Sequence, residues 1–306
     1  MLTLPRKTIP VSGPMAVPAG EGPSGTAVGS AMRGVSAARF LISGPAHQRP
    51  LTRALPVSEI CRAALMAIYG ELFPRANGMR GQSAIFGGKD AAGVPLHGHA
   101  HAHFFMTDED ADGLLDHLTV FASGGFDACH QAALGGLHRL WLPNGIDFLK
   151  AELGGLGRAE EMAAGPLGKS CVWESATPYL ATRFGKGRSA ARRVHPTELA
   201  KADLAAQVAN FAAGRGVGVE VIGEGQRAAP AGLRGASGPG PRDFTRSRLR
   251  RQDNGGLRAC GYFRVEFSGP VSGPLALGHN SHFGMGLFVP AGETPGPAAI
   301  HGVECR

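Results

Sequence analysis

Four histidines stand two residues apart, at His97, His99, His101 and His103. Along an extended strand, residues two apart project to the same face, so all four rings can line one side. Imidazole carries a proton near neutral pH and is also a common ligand for zinc, copper, iron or nickel. The ladder has two chemical readings, proton transfer to and from a substrate or a metal site, and a bland one, packing or solvation. No carboxylate or cysteine sits at ligand spacing beside it, which weakens the metal reading.

A second constellation lies near the other end of the chain. Gly278–Phe288 holds three glycines and two histidines in eleven residues, then runs to Pro290. Glycine tolerates positive φ and lets a backbone come close to another chain. The segment lacks the Gly-Lys-Ser/Thr of a Walker loop and does not fit G-x-G-x-x-G. Just upstream, Arg242 to Arg264 contains seven arginines and two aspartates. Arg246, Arg248, Arg250 and Arg251 form one basic segment, and Arg183, Lys186, Arg188, Arg192 and Arg193 form another. A single charge run is usually a solvated face, whereas two raise the expectation of phosphate contact. Phe184, Phe244 and Tyr262 have the chemistry to stack bases and equally the chemistry of core residues. Two further motifs are weaker. Asp108–Gly113 matches the first half of a calcium loop, but position twelve is Thr119 rather than a bidentate Glu, so it reads as an acidic hairpin turn. His117-Leu118-Thr119 is a lone H-x-T triplet.

The elements that must position these groups follow from pattern. Residues 1–36 are rich in Pro, Gly, Ala and Ser without a period and read as disordered or a linker remnant. Ala38–Ile42 reads as a strand. Ile60, Ala64, Leu65, Ile68 and Leu72 keep one apolar helical face, with Ser58 as N-cap and Pro74 as stop. His99–Thr107 and Asp116–Ser123 read as strands, Phe126–Leu140 as a helix, and Ile146–Leu153 as a strand ended by Gly154-Gly155. That β-α-β-β-α-β order is a ferredoxin-like unit. A looser echo follows: strand Cys171–Tyr179, helix Thr197–Ala213, strands Val217–Ile222 and Tyr262–Phe267, and strands flanking the glycine segment. The expected fold is α+β, tandem ferredoxin-like βαββαβ domains with a C-terminal glycine-rich loop. The expected domains are 37–168 and 169–290, with 291–306 a flexible tail.

Composition bounds the function classes. The chain has 306 residues and a net charge of +7, which suits nucleic acid or another anionic partner. Five cysteines without a CxxC argue against a disulfide framework and a thiolate zinc site, and point to a reducing, cytoplasmic setting. No apolar run reaches the roughly 18 residues of a membrane span, and the N-terminus lacks a secretory h-region.

Four stretches in order carry a family resemblance: Gly88–Leu96 with Gly98–Ala102, Asp108–Gly113 with Asp116–Leu118, Trp173–Tyr179, and Gly269–Gly278 with Ser281–Phe288. The chain resembles the fused CRISPR-associated subunit of type I-G (formerly I-U) systems, in its repeat-processing half. The resemblance implies a RAMP-type endoribonuclease that cuts CRISPR repeat RNA without a metal or cofactor. It implies attack by the ribose 2′-OH, a 2′,3′-cyclic phosphate product, and retention on the guide RNA among the other subunits of a type I effector complex. His99 and His101 are the implied catalytic residues, with His282 next. The basic segments and Gly278, Ser281, Gly284 and Gly286 are the implied RNA contacts. Where the family text has a histidine after Arg183, this chain has Phe184. Family members also carry a long N-terminal capping half; about 36 residues precede the match here, so capping is not carried over. The rival readings are a non-catalytic RNA-binding subunit and a metal-dependent phosphodiesterase using the His97–His103 ladder.

Overall fold

The computed structural model describes residues 34–90, 92–96, 101–183, 195–224, 238–249 and 253–291. His97, His99, Phe184, Lys186, Arg188, Arg192, Arg193, Arg250 and Arg251, with segments 1–33 and 292–306, lie outside them.

The first sheet is built from β1 (Ala37–Ser43), β2 (His103–Thr107), β3 (His117–Phe121), β4 (Arg139–Trp141) and β5 (Phe148–Gly157). Their order is β2-β3-β1-β5-β4, with β1 central and antiparallel to both β3 and β5. Helix α1 (Ala54–Leu72) joins β1 to β2, the short α2 (Ala84–Gly87) follows it, and α3 (Ala128–Gly135) leads from β3 toward β5. This is the ferredoxin-like strand order with β4 added at one edge. Alternation along β1 buries Phe40 and Ile42 against α1, whose Leu55, Cys61 and Leu65 face them.

The second sheet contains β6 (Lys169–Ser175), β8 (Val219–Glu224), β10 (Phe263–Ser272), β11 (Leu275–Ala276) and β12 (Leu287–Pro290), in the order β11-β12-β6-β10-β8. A short pair, β7 (Tyr179–Leu180) and β9 (Cys260–Gly261), stands apart from it. The remaining helices are α4 (Ala159–Met162) and α5 (Pro196–Ala213). Helix α5 covers the sheet through Ala200, Leu204 and Val208, packed in one core with Trp173, Phe263, Val265 and Phe288. The strand order again follows the ferredoxin-like scheme. The second crossover helix is replaced: between β10 and β12 stand β11 and the glycine segment, with a single 3-10 turn at Ser281–Phe283. The fold is thus tandem ferredoxin-like, the second copy trading a helix for the glycine loop.

Several local expectations change. Helix α1 begins at Ala54, so Ser58 is buried inside it rather than capping it. Pro56 is tolerated because the first-turn N–H groups have no helical partner anyway. Residues 139–141 are strand, not the end of a helix: α3 stops at Gly135, and Leu140 is the buried residue of β4. Gly154-Gly155 does not end β5. The register passes from Phe40↔Leu153 to Arg39↔Gly155, so Gly154 is the extra residue of a bulge. Asp108–Asp116 forms the hairpin turn, with Asp108 accepting from the N–H groups of Asp112 and Gly113, and Asp116 from those of Glu109 and Asp110. Among the described residues, Asp108, Asp110 and Asp116 are the one trio whose ligand atoms gather within 4.8 Å, and Asp108 and Asp116 are engaged in holding this turn. Cys61, Cys129 and Cys260 are free thiols, whereas Cys171 is disulfide-bonded. No helix among the described residues is long and apolar enough to cross a membrane.

The glycine segment is inserted rather than extended. Phe283 and Met285 belong to the first sheet's core, and the Phe283 ring stacks on Phe104 of β2 at 6.2 Å and 15°. Gly284 lies directly on β2 at φ +76; a Cβ there would sit 3.4 Å from the Phe104 carbonyl oxygen. Thr177 Oγ1 donates to the Gly284 carbonyl (2.5 Å), and Gly286 N–H donates to Pro178 O (2.8 Å). Gly286 has φ +60, and its Cβ would collide with the Leu277 carbonyl oxygen. The Gly286→Ala variant is therefore expected to lose at least about 2 kcal/mol, from left-handed strain plus the clash. Thermal unfolding should then show a midpoint roughly 4–8 °C lower for a unit of this size; an unchanged midpoint would remove the tight-loop account.

Candidate active site

Docking the glycine loop on β2 brings two distant histidines together. His282, in the 3-10 turn, has its ring centroid 4.0 Å from that of His101 and 4.2 Å from that of His103. The expected strand His99–Thr107 begins only at His103 among the described residues; His101 lies in a bend just before β2, with its ring centroid 6.0 Å from that of His103. The three rings are half-buried. His101 and His282 open onto a cleft of about 550 Å³ that also takes Arg62, Lys89, Arg248 and Phe283 into its walls.

Each cation has a traceable support. Arg62 of α1 donates from Nε to Phe86 O and from Nη2 to Gly87 O, both 3.1 Å, gripping the carbonyl end of α2. Lys89 follows directly and is exposed at the rim, where Lys89 bridges to Pro95 and Asp90 caps the turn through Ala92 N–H and Val94 N–H. Arg248 lies over the Phe283 ring at 4.4 Å and pairs with Glu59 of α1 at 2.6 Å. The Leu249 N–H completes that bond pattern by donating to the other Glu59 oxygen (2.6 Å). The arm is thereby fixed across α1 with one guanidinium face on the cleft.

Two hydrogen-bond networks hold the walls. Asp253 accepts from His279 Nε2 (2.6 Å), Asn280 Nδ2 (2.7 Å) and Gly255 N–H (3.0 Å), fastening the arginine arm to the residues just before His282. Asn280 takes the left-handed conformation at φ +63 that starts the turn. Burial alone would raise the Asp253 carboxyl, but the Asn280 and His279 hydrogen bonds outweigh it and hold it below its usual range. On the other side, Ser83 Oγ lies 2.9 Å from His130 Nε2, and His130 Nδ1 is 2.6 Å from Asp127 Oδ1. The connectivity is that of a nucleophile triad, yet Ser83 is buried and accepts from Phe86 N–H as the α2 N-cap. His130 stacks on Tyr69 at 5.1 Å and meets Phe86 edge-on. This relay is a clamp that seats α2 beneath the cleft. Burial again opposes ionisation of Asp127, and the hydrogen bonds from His130 again prevail and lower its pKa.

Of the residues expected from sequence, His101, His282 and Arg248 converge here, and Ser281 stands in the same turn as His282. Arg246 is spent internally, reaching Arg258 O and Cys260 Sγ. Arg183 lies 3.9 Å from Asp203 with 83 % of its side chain exposed, outside the cleft lining. Gly278, Gly284 and Gly286 use their close approach on the chain's own backbone: Gly278 on β7, Gly284 on β2, Gly286 on Leu277. Arg62, Lys89 and Asp253 were not singled out from sequence. Lys89 had a signal, lying in the Gly88–Leu96 stretch; Arg62 on a helix and Asp253 among arginines had none.

No family model and no curated protein matches the chain. Among solved structures it is similar to a chain described as a Cas6 (TTHB231) product complex, at a TM-score of 0.37 and 12 % identity, over 85 % of this chain and 100 % of that one. The fold assignment rests instead on the strand orders and registers above.

Both depressed carboxylates carry the same pH sign. An aspartate that ionises more easily when folded stabilises the fold above its unfolded pKa, near 3.8, and loses that contribution as pH falls through the lower folded value. Denaturant unfolding followed from pH 6 to pH 2.5 should show stability dropping below about pH 4. Asp253→Asn should be less stable at pH 7 by about 1–3 kcal/mol and show a shallower acid decline. A variant with the wild-type acid slope would remove Asp253 from this role.

Proposed function

We propose that the protein is an endoribonuclease that processes CRISPR repeat RNA without a metal, cutting by attack of a ribose 2′-OH on the adjacent phosphate. The observation that carries this is the meeting of His101 and His282, at 4.0 Å, in a cleft walled by Arg62, Lys89 and Arg248. Described residues from both ends of the family resemblance, among them Gly88, Lys89, Leu96 and His101 from one and His282 and Phe283 from the other, line it.

The chemistry needs three tasks done at one phosphate. One imidazole takes the 2′-OH proton as the 2′ oxygen bonds to phosphorus. The other gives a proton to the 5′ oxygen as its bond to phosphorus breaks, leaving a 2′,3′-cyclic phosphate and a 5′-hydroxyl. Lys89 and Arg248 offset the charge that gathers on the phosphorane oxygens. The reaction uses one neutral imidazole and one protonated imidazole at the same phosphate, and the pair supplies two rings within reach of each other. His99, two residues from His101 in sequence, belongs to the same proposal, and His103 stands behind the pair as the ring that backs His282. The protein's place in a type I effector complex, with the other subunits and a cytoplasmic setting, is part of this reading.

His101→Ala and His282→Ala should each lower single-turnover cleavage of a repeat RNA by about 10²–10⁴-fold while leaving RNA binding within a few-fold. Cleavage should persist in EDTA, and the upstream product should carry a cyclic phosphate. Full activity in both variants would overturn the site; loss of cleavage in EDTA would favour the metal-dependent phosphodiesterase; tight binding with no cleavage in the wild type would favour the non-catalytic RNA-binding subunit.

A further inference from the structure

A second cleft, of about 600 Å³, lies on the other side of α1. It shares Arg62 and Arg248 with the histidine cleft, so the two clefts adjoin at these side chains. Its far wall is the end of β4, Trp141 to Pro143, and its rim includes Leu249. Trp141 is half exposed, at 50 %, and Leu249 at 51 %. An indole left in solvent on an edge strand contributes nothing to the core, which here takes Leu140 and Leu142 instead. The β4–β5 register sets Arg139 opposite Lys150 and Trp141 opposite Phe148, so these four point to one face of the hairpin. They alternate two cations with two aromatic rings and include no acid. Arg139 lies over the Phe148 ring at 4.8 Å, and the Trp141 and Phe148 rings are 5.1 Å apart. Glu59, the one carboxylate lining the second cleft, is already matched by Arg248.

We infer that this second cleft is a single-strand subsite in which a nucleobase of the RNA flanking the scissile phosphate stacks on Trp141, while the intervening backbone passes Arg62 and Arg248. The inference rests on the proposed RNA-processing role and adds to it the form of substrate: unpaired on this side of the cut. A half-exposed indole beside guanidinium groups is the chemistry of sequence-tolerant base stacking. A cleft of this size holds about one nucleotide, the scale of small-ligand pockets.

The chain offers a direct reporter, because its two tryptophans are Trp141 and the fully buried Trp173. Titrating the full chain with single-stranded hexauridylate should quench the emission of Trp141. Trp141→Ala should remove the quenching and weaken binding of that oligonucleotide roughly 5- to 100-fold. Trp141→Phe should recover most of the affinity, since a ring remains. The thermal midpoint of both variants should match the wild type, as expected for a half-exposed side chain. A blunt RNA duplex of equal length should quench weakly. Equal quenching by duplex, or unaltered hexauridylate affinity in Trp141→Ala, would overturn the subsite. His282→Ala separates the two readings: quenching retained with cleavage lost supports both, whereas cleavage by the wild type without quenching discards the subsite and leaves the endoribonuclease reading standing.

Discussion

The arrangement depends on one burial event. Phe283 and Met285, from the last loop of the second sheet, are packed in the core of the first. Phe283 keeps only 7 % of its surface, and removing such a ring from water stabilises by about 2–3 kcal/mol. That anchor fixes the residues on either side of it. His282 is carried to within ring contact of His101 and His103, and Arg248 finds a platform on the Phe283 ring. The same side chain thus serves as core residue, hinge pin and floor of the cleft.

Replacing a crossover helix by a loop has a cost, met by side-chain and backbone bonds. Without a helix, the loop's polar groups must be satisfied one at a time. Thr177 takes the Gly284 carbonyl and receives the Leu287 N–H; Pro178 and Leu180 take the N–H groups of Gly286 and His279; Asp253 takes the Asn280 and His279 side chains. The result is a loop held from three directions. A loop so constrained suits proton transfer, where the position of an imidazole matters more than its reach.

Much of this was legible in the residue pattern, and the failures have specific causes. Period-2 alternation is legible in β10, and an apolar stripe in α1 and α5, because burial on one face leaves a repeat that survives in sequence. The N-cap chemistry of Ser58 sets the expected start of α1 late, because a first-turn proline such as Pro56 removes no helical bond and lets the helix begin at Ala54. Leu140 continued the helical spacing of Leu134 and Leu137, yet it sits on a strand; three leucines are too few to separate the two periods. The resemblance implies that Gly278, Gly284 and Gly286 make room for RNA. They do make room, but for β2, β7 and Leu277, which have no signature in the glycine segment itself.

The amino-acid sequence by itself determined the local elements, the two βαβ-based repeats, the basic balance and the inventory of groups able to move protons, since each follows from neighbours within a few residues. Which of those groups lie together was decided only by the tertiary structure. His101 and His282 meet across a long separation along the chain because an aromatic ring prefers another sheet's core to water. The hydrophobic effect that drives this is non-directional, so it leaves no spacing rule in the sequence and becomes specific only when the two packed surfaces exist.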